Sequence, residues 1–376
     1  MSNLSYMEKL LDGVEIKKIP LGDVTQYEQP TKYLVKTKKY DDTYITPVLT
    51  AGKTFILGYT DETEGINKAS NNPVIIFDDF TTANKWVDFN FKAKSSAMKM
   101  IKSSDESKFI LKYVYYWMNT LPSGLIDGDH KRQWISNFSN KKIPIPYPDN
   151  SEKSLKIQAE IVCILDTFTA LTAQLTAELD MRKKQYNYYR DQLLSFEEGE
   201  VEWKAIRDIV GIKRGKRLVK SQLEASGKYA VFQNSMTPLG YYHESNVMLD
   251  TTFIISAGSA GEIGYSDVDF WAADDVYYLE ASENLKSKFL YYFLLTQQTK
   301  IKGQVRRSSI PRLSKTSFDR MLLPVPSIEE QARIVAILDK FDTLTTSRQE
   351  GLPREIELRQ KQYEYYLNFL LNFPKK

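Results

Sequence analysis

The chain has 376 residues, enough for two or three domains with cores of their own. Hydrophobic residues make up 42% and charged residues 26%, which excludes a long disordered protein, and the net charge of +3 names no partner by itself. A single cysteine, Cys163, excludes an internal disulfide framework and fits a reducing cytoplasm, and the longest apolar run, Phe289 to Leu295, is far short of a membrane span.

The N-terminal stretch MSNLSYMEKLLDGVEIKK lacks the apolar core of a secretory signal. Residues 14–150 then read as a mixed α/β module with much strand, as in YITPVLTAGKTFILGYT and PVIIFDDF, separated by Gly, Asn and Asp. AGKT (Ala51 to Thr54) looks like the end of a phosphate-binding loop, but that motif needs glycine five residues before Gly52, where Pro47 stands. The module's basic residues fall in NKW, with Lys85, in HKRQW, with Lys131, Arg132 and Gln133, and in KKIP from Lys141.

From Glu152 to Leu194 the pattern becomes helical. Apolar or aromatic residues recur at Ile157, Ile161, Ile164, Phe168, Leu171, Leu175 and Leu179, then at Tyr186, Tyr189 and Leu193, in the steps of three and four of a coiled-coil seam. About 40 such residues span roughly 60 Å. The rhythm breaks once, at LTAQLTAEL, a tandem of a four-residue unit that acts as a stutter and leaves the seam nearly in register.

A second module, about 200–326, again mixes strand and helix, with TTFIISA and DVYYLEA as strands. GSAGEIG (Gly258 to Gly264) does not have the spacing of a dinucleotide loop and reads as a strand-to-strand turn. GIKRGKRLVK gathers Lys213, Arg214, Lys216, Arg217 and Lys220, and the run Lys300 to Lys315 carries Arg306 and Arg307 beside two serines with no acidic residue. Gly351 and Pro353 in EGLPREIE then break the closing helical stretch into two helices.

The second half repeats the first. QAEIVCILDTF (Gln158 to Phe168) returns as QARIVAILDKF (Gln331 to Phe341), and KQYNYYRDQLLSF, ending at Phe196, returns as KQYEYYLNFLLNF, ending at Phe373, each with eight identities. IPIP at Ile143 returns as LPVP at Leu323, and DGVEIKKI at Asp12 returns as GEVEWKAI at Gly199. The expected fold is therefore α/β (α+β): two globular modules separated by an antiparallel coiled coil of two long helical regions, in a circular arrangement with approximate two-fold symmetry. Within the modules, PVIIFDD falls opposite TFIISAG and FILKYVYYWMN opposite FLYYFLLTQQ, so one scaffold carries two different sets of loops.

Catalytic chemistry is not legible. Glu15-Ile16-Lys17 and Glu202-Trp203-Lys204 have the spacing of some nucleases but no acidic partner nearby in sequence. His130 and His243, the two histidines, lie in different modules, which leaves no zinc site or histidine-based triad. What the modules do offer is basic clusters that neutralise phosphates, with Arg and Gln able to pair with base edges. Lys131 and Arg132 stand before IPIP much as Arg306 and Arg307 stand before LPVP, and that recurrence favours DNA contact. The candidate DNA-binding residues are Lys85, Lys131, Arg132, Gln133, Lys213, Arg214, Lys216, Arg217, Arg306 and Arg307.

The paired LPVPSIEEQARIVAILDKFD and RQKQYEYYLNFLLNF blocks, their central counterparts, the TAQLTAEL tandem and the GLPREIE break together resemble the specificity subunit of type I restriction–modification systems, of the type IC kind, over essentially the whole chain. The resemblance implies recognition domains at 1–150 and 198–326, and conserved helical regions at 151–197 and 327–376 that fix the distance between them. It implies no catalysis and no cofactor or metal in this chain, a bipartite double-stranded DNA target, and cytoplasmic assembly with two methyltransferase subunits and with motor-nuclease subunits. S-adenosylmethionine, ATP and Mg²⁺ would enter with those partners, the methyltransferases docking near Gln158 to Phe168 and Gln331 to Phe341. The rival readings are a coiled-coil scaffold binding only protein, without DNA, and a stand-alone nuclease.

Overall fold

The computed structural model describes residues 3–51, 54–122, 133–197, 199–347 and 349–373. Its longer helices are α1 (Asn3–Leu11), α2 (Leu111–Met118), α3 (Ser151–Leu193), α4 (Ser287–Thr296), α5 (Gln298–Gly303), α6 (Ile328–Thr346) and α7 (Leu352–Asn372). Two compact units emerge, one of Met1–Gln174 with Ile356–Lys376 and the other of Leu175–Glu355. Both the long helix α3 and the closing helix α7 are divided between them.

The first unit contains strands β1 (Ile16–Pro20), β2 (Thr25–Glu28), β3 (Thr46–Leu49), β4 (Ile56–Thr60), β5 (Val74–Asp78), β6 (Asn84–Val87), β7 (Lys92–Ala93), β8 (Met98–Ser103) and β9 (Lys142–Pro146). They form a β1–β9 ribbon, a four-stranded antiparallel sheet in the order β2-β8-β5-β6, and a three-stranded sheet β4-β3-β7. The second unit has β10 (Glu202–Ala205), β11 (Val210–Arg214), β12 (Tyr229–Phe232), β13 (Gly240–Tyr242), β14 (Thr251–Ile255), β15 (Ile263–Ser266), β16 (Trp271–Ala272), β17 (Val276–Ala281) and β18 (Leu322–Val325). Its sheets are β10–β18, β11-β17-β14-β15 and β13-β12-β16. Among the described residues every pairing between these strands has its counterpart, down to a parallel strand pair in each unit, β3 with β7 and β12 with β16. The duplication seen in the helical blocks thus extends through modules whose sequences barely align.

The central strand of each sheet explains the layering. β5, VIIFD, is buried throughout, and its side chains alternate: Ile75 and Phe77 join the core beneath the helices, while Val74 and Ile76 join the core shared with the smaller sheet. In the second unit Ile254 faces the helices and Phe253 and Ile255 face the smaller sheet.

The helical regions do not stand apart from these cores. In the first unit Ile161 and Leu165 of α3 and Tyr366, Leu367, Leu370 and Leu371 of α7 are buried in one cluster with Tyr113, Phe77 and Phe138. In the second unit Tyr186 of α3 and Ile334 and Leu338 of α6 are buried with Phe289, Tyr292 and Phe293. Phe168 stacks on Tyr366 at 5.2 Å in the first unit, and Tyr189 stacks on Phe341 at 5.7 Å in the second. Going forward along α3, its partners thus come from α7 and then from α6, the order of an antiparallel pairing.

α3 is one unbroken helix of 43 residues through the TAQLTAEL tandem, and none of its side chains from Thr167 to Gln185 is buried. By length and composition an 18-residue window of α3 is apolar enough to cross a membrane, with only 11% of it buried. The other region is jointed, as its sequence implies: α6 stops at Thr346 and α7 begins at Leu352. Gly351 makes the joint possible, because a Cβ there would stand 2.4 Å from the Thr343 carbonyl oxygen and 2.8 Å from that of Ser347. Ser327 caps α6 by accepting a hydrogen bond from the Glu330 N–H at 3.2 Å.

Candidate nucleic-acid interface

In the second unit two basic runs far apart in sequence come to the same end of the four-stranded sheet. β11 delivers Lys213 and Arg214, and Gly215 lets the chain turn against Ala272 and Ala273, whose carbonyl oxygens would lie 2.3 and 2.2 Å from any Cβ. The turn is pinned by main-chain bonds from Gly215 N to Val276 O and from Lys216 N to Ala272 O, and by the Trp271 indole N–H on Lys216 O at 3.0 Å. Lys216 and Arg217 are consequently held outward and exposed.

The second run forms a hairpin. Arg306 and Arg312 exchange main-chain hydrogen bonds of 2.9 and 3.2 Å, and the Ser308 hydroxyl donates to Ile310 O across the tip. Its base docks on the segment after β14: Leu313 N donates to Ser256 O at 2.8 Å, and Gly258 N donates to Pro311 O at 3.1 Å. Ser256 N in turn donates to Asp275 O, and the Arg214 guanidinium donates to the neighbouring Asp274 O at 2.6 Å. Lys315 reaches Ile212 O at 3.3 Å, tying the hairpin to β11. Arg306, Arg307 and Arg312 are exposed, and among the described residues none of them, nor Lys216 or Arg217, forms an ion pair. Arg312, absent from the candidates legible in the sequence, belongs with this set.

Not every basic residue contributes free charge. Lys213 lies 2.7 Å from Glu280 across the β11–β17 ladder, and Arg214 lies 3.9 Å from Asp275. At the equivalent ladder position of the first unit the polarity is inverted, with Glu28 on β2 and Lys102 on β8, 3.1 Å apart. The basic residues of β11 are therefore not repeated on β2.

Lys85 is exposed on β6 beside a cavity of about 600 Å³ lined by Asp78, Thr81, Asn84 and Asn119, among others. Gln133 is only 4% exposed, and its N–H donates to Asp79 O at 2.8 Å. Trp134 N donates to the Asp79 carboxylate at 2.9 Å, and Lys99, itself 1% exposed, lies 3.4 Å from that carboxylate and over the Tyr27 ring. Gln133 thus anchors its segment as Leu313 anchors the arginine hairpin, so the docking register pairs Gln133 with Leu313 and not with a neighbour of Arg307. Lys131, Arg132 and His130 lie outside the described residues, as do Gly52 and Lys53 of AGKT.

The motifs set aside as chemistry behave as structure. GSAGEIG is the β14–β15 turn, with the N–H groups of Gly258, Ser259, Gly261 and Glu262 all bonded to protein carbonyls. Glu202 and Lys204 pair with each other at 2.9 Å on the β10–β18 ribbon. Among the described residues no group of three His, Cys, Asp or Glu is arranged to hold a metal ion.

The same chain that folds into a twofold set of β-modules on duplicated helices matches, in sequence, a family described as the type I restriction modification DNA specificity domain, at residues 13–181 and again at 198–358. The chain belongs to the specificity subunits of type I restriction–modification systems. It is 56% identical to the type I restriction enzyme EcoR124I/EcoR124II specificity subunit of Escherichia coli, over 100% of this chain and 98% of that one. It is 32% identical to the EcoprrI specificity subunit of the same organism, over 92% of each. Among solved structures, the type I restriction–modification S subunit from M. genitalium superposes with a TM-score of 0.70 at 20% identity, over 97% of this chain and 98% of that one. The role of such a subunit is specificity, and catalysis lies elsewhere in the system.

Proposed function

We propose that this specificity subunit reads an interrupted DNA site, one half with each module, and that its helical regions set the gap between the halves. The observation that carries this reading is the gathering of Lys216, Arg217, Arg306, Arg307 and Arg312 at one end of the second unit's sheet, on loops pinned to a rigid ladder. Arginine forks on fixed loops suit both phosphate contact and paired hydrogen bonding to guanine. Lys85, Lys131, Arg132 and the loops beside them would serve the first module, with Gln133 as an anchor.

Two methyltransferase subunits dock on the helical regions in this reading, and motor-nuclease subunits join them in the cytoplasm. S-adenosylmethionine, ATP and Mg²⁺ arrive with those partners, and the target base is flipped out of the duplex into a methyltransferase. The weakly covered apolar stretch of α3 supports a docking role. Tyr188 of α3 and its repeat counterpart Tyr365 of α7 are 58% and 53% exposed. Such a helix face is at home against partner helices.

The test is to express the chain with a methyltransferase subunit that assembles with it, purify the complex and titrate DNA binding against salt. A stable complex with steep salt dependence is expected. A complex without DNA affinity would favour the protein-only scaffold, and Mg²⁺-dependent cleavage by the isolated chain would favour a nuclease.

A further inference from the structure

Two glutamines, one in each helical region, are completely buried, and each makes the same two hydrogen bonds to the main chain before a module helix, with a third to its own helical segment. Gln158 accepts from Ile110 N at 2.9 Å and donates to Lys108 O at 2.9 Å and to the Ser154 hydroxyl at 3.0 Å. Gln331 accepts from Lys286 N at 2.8 Å and donates to Asn284 O at 3.0 Å and Pro326 O at 2.9 Å. Ile110 and Lys286 are the residues that open α2 and α4. Each glutamine therefore holds the start of a module helix through main-chain atoms, whatever side chains the module carries.

Eight residues on, the same helix faces carry Asp166 and Asp339. Asp166 accepts from the Tyr116 hydroxyl and lies 2.9 Å from Lys112. Asp339 accepts from the Tyr292 hydroxyl at 2.6 Å and lies 2.9 Å from Lys288. Lysine and tyrosine sit four apart on one face of the gripped helix in both units. Burial, and then the carboxylate, push both phenols far above the ordinary tyrosine range, so they remain donors throughout the physiological range. Each module helix is thus held at its first residue and again in its second turn, two points that fix its axis.

Each gripped helix leads along the chain to a candidate reading loop. From α4 the chain passes through α5 directly into the Arg306–Arg312 hairpin, and α2 leads within fifteen residues to Gln133 and the Asp79 anchor. The ten-residue helix α4 is about 15 Å long, so a small rotation at its grip displaces its far end, where α5 and the hairpin follow.

We infer that Gln158 with Asp166, and Gln331 with Asp339, are positioning residues that fix the angle of each reading loop on its helical region and so determine how strictly the gap between half-sites is read. The inference rests on the proposed reading of a bipartite site. It differs from simple stabilisation in one respect: loosening a grip relaxes the tolerance for spacer length and leaves the half-sites themselves unchanged.

The experiment uses the full complex with its methyltransferase, and duplexes carrying the methylated half-sites at the natural spacer and at one base pair more or less. The wild-type complex should reject the altered spacers. In Gln158→Met and Gln331→Met complexes the penalty for an altered spacer should shrink at least about tenfold, while binding at the natural spacer changes less. An unchanged penalty in folded variant complexes, with only thermal stability lowered, would overturn the inference. If the methionine variants fail to assemble, Asp166→Asn and Asp339→Asn, which keep the glutamine bonds, give the same comparison. A wild-type complex indifferent to spacer would instead sink the bipartite reading itself.

Discussion

Removing Thr176 to Leu179, one copy of the tandem in α3, should shorten the preferred gap between half-sites by one or two base pairs. The helix is continuous over 43 residues, so the deletion withdraws about 6 Å of rise and about 400° of rotation, some 40° more than a full turn. At about 3.4 Å per base step, 6 Å is a little under two steps, and fewer if the helix is inclined to the duplex. The cost to folding is small because no side chain of the tandem is buried. The deletion loses the half-exposed Glu178–Arg182 pair at 3.4 Å, about 0–1 kcal/mol, and Leu175 takes over the seam position of Leu179. Methylation rates by the assembled complex, measured on duplexes whose spacers differ by single base pairs, give the answer. A deletion variant that folds and methylates fastest at the parental spacer would refute the reasoning.

Other substitutions probe separate parts of the account. Arg306→Ala with Arg307→Ala should flatten the log–log dependence of DNA affinity on salt by up to about two units, at about 0.9 per lost phosphate contact; an unchanged slope removes the hairpin from the interface. Gly351→Ala drives a methyl group into the Thr343 carbonyl and should destabilise the joint by about 1–3 kcal/mol, read as a lower melting temperature. Burial raises the Asp342 carboxyl above its ordinary value, so its contribution is most favourable below that value and is lost as pH rises through the raised one. Asp342→Asn should therefore raise the melting temperature at neutral pH, with the gain fading near pH 4; a gain that does not vary with pH would remove burial of the charge as its cause.

The sequence made the periodic features legible because helix and turn physics is local. The helical stretch expected from Glu152 to Leu194 matches α3 to within a residue at each end, the glycine and proline of EGLPREIE mark the joint, and the opposition of PVIIFDD to TFIISAG corresponds to β5 and β14. Pairings across long sequence distances were not legible. Lys213 is compensated by Glu280, 67 residues away, and Gln133 is buried by an anchor at Asp79. Lys92 and Lys99, which composition would send to the surface, are 1% exposed on Glu62 and Asp79. Gln158 and Gln331 were visible as repeated letters, but a polar residue in a heptad block reads as solvent-facing until the carbonyls it meets are known. The N-terminal segment, read only as lacking a signal, is helical, with Met7 buried and the Tyr6 hydroxyl on Glu160 at 2.8 Å.

Modified-base sequencing of DNA from a host expressing this chain with its methyltransferase tests the ruler most directly. The account predicts one interrupted motif, two unlike half-sites at a single invariant separation, methylated on both strands. A contiguous motif, or the same half-sites at many separations, would contradict it.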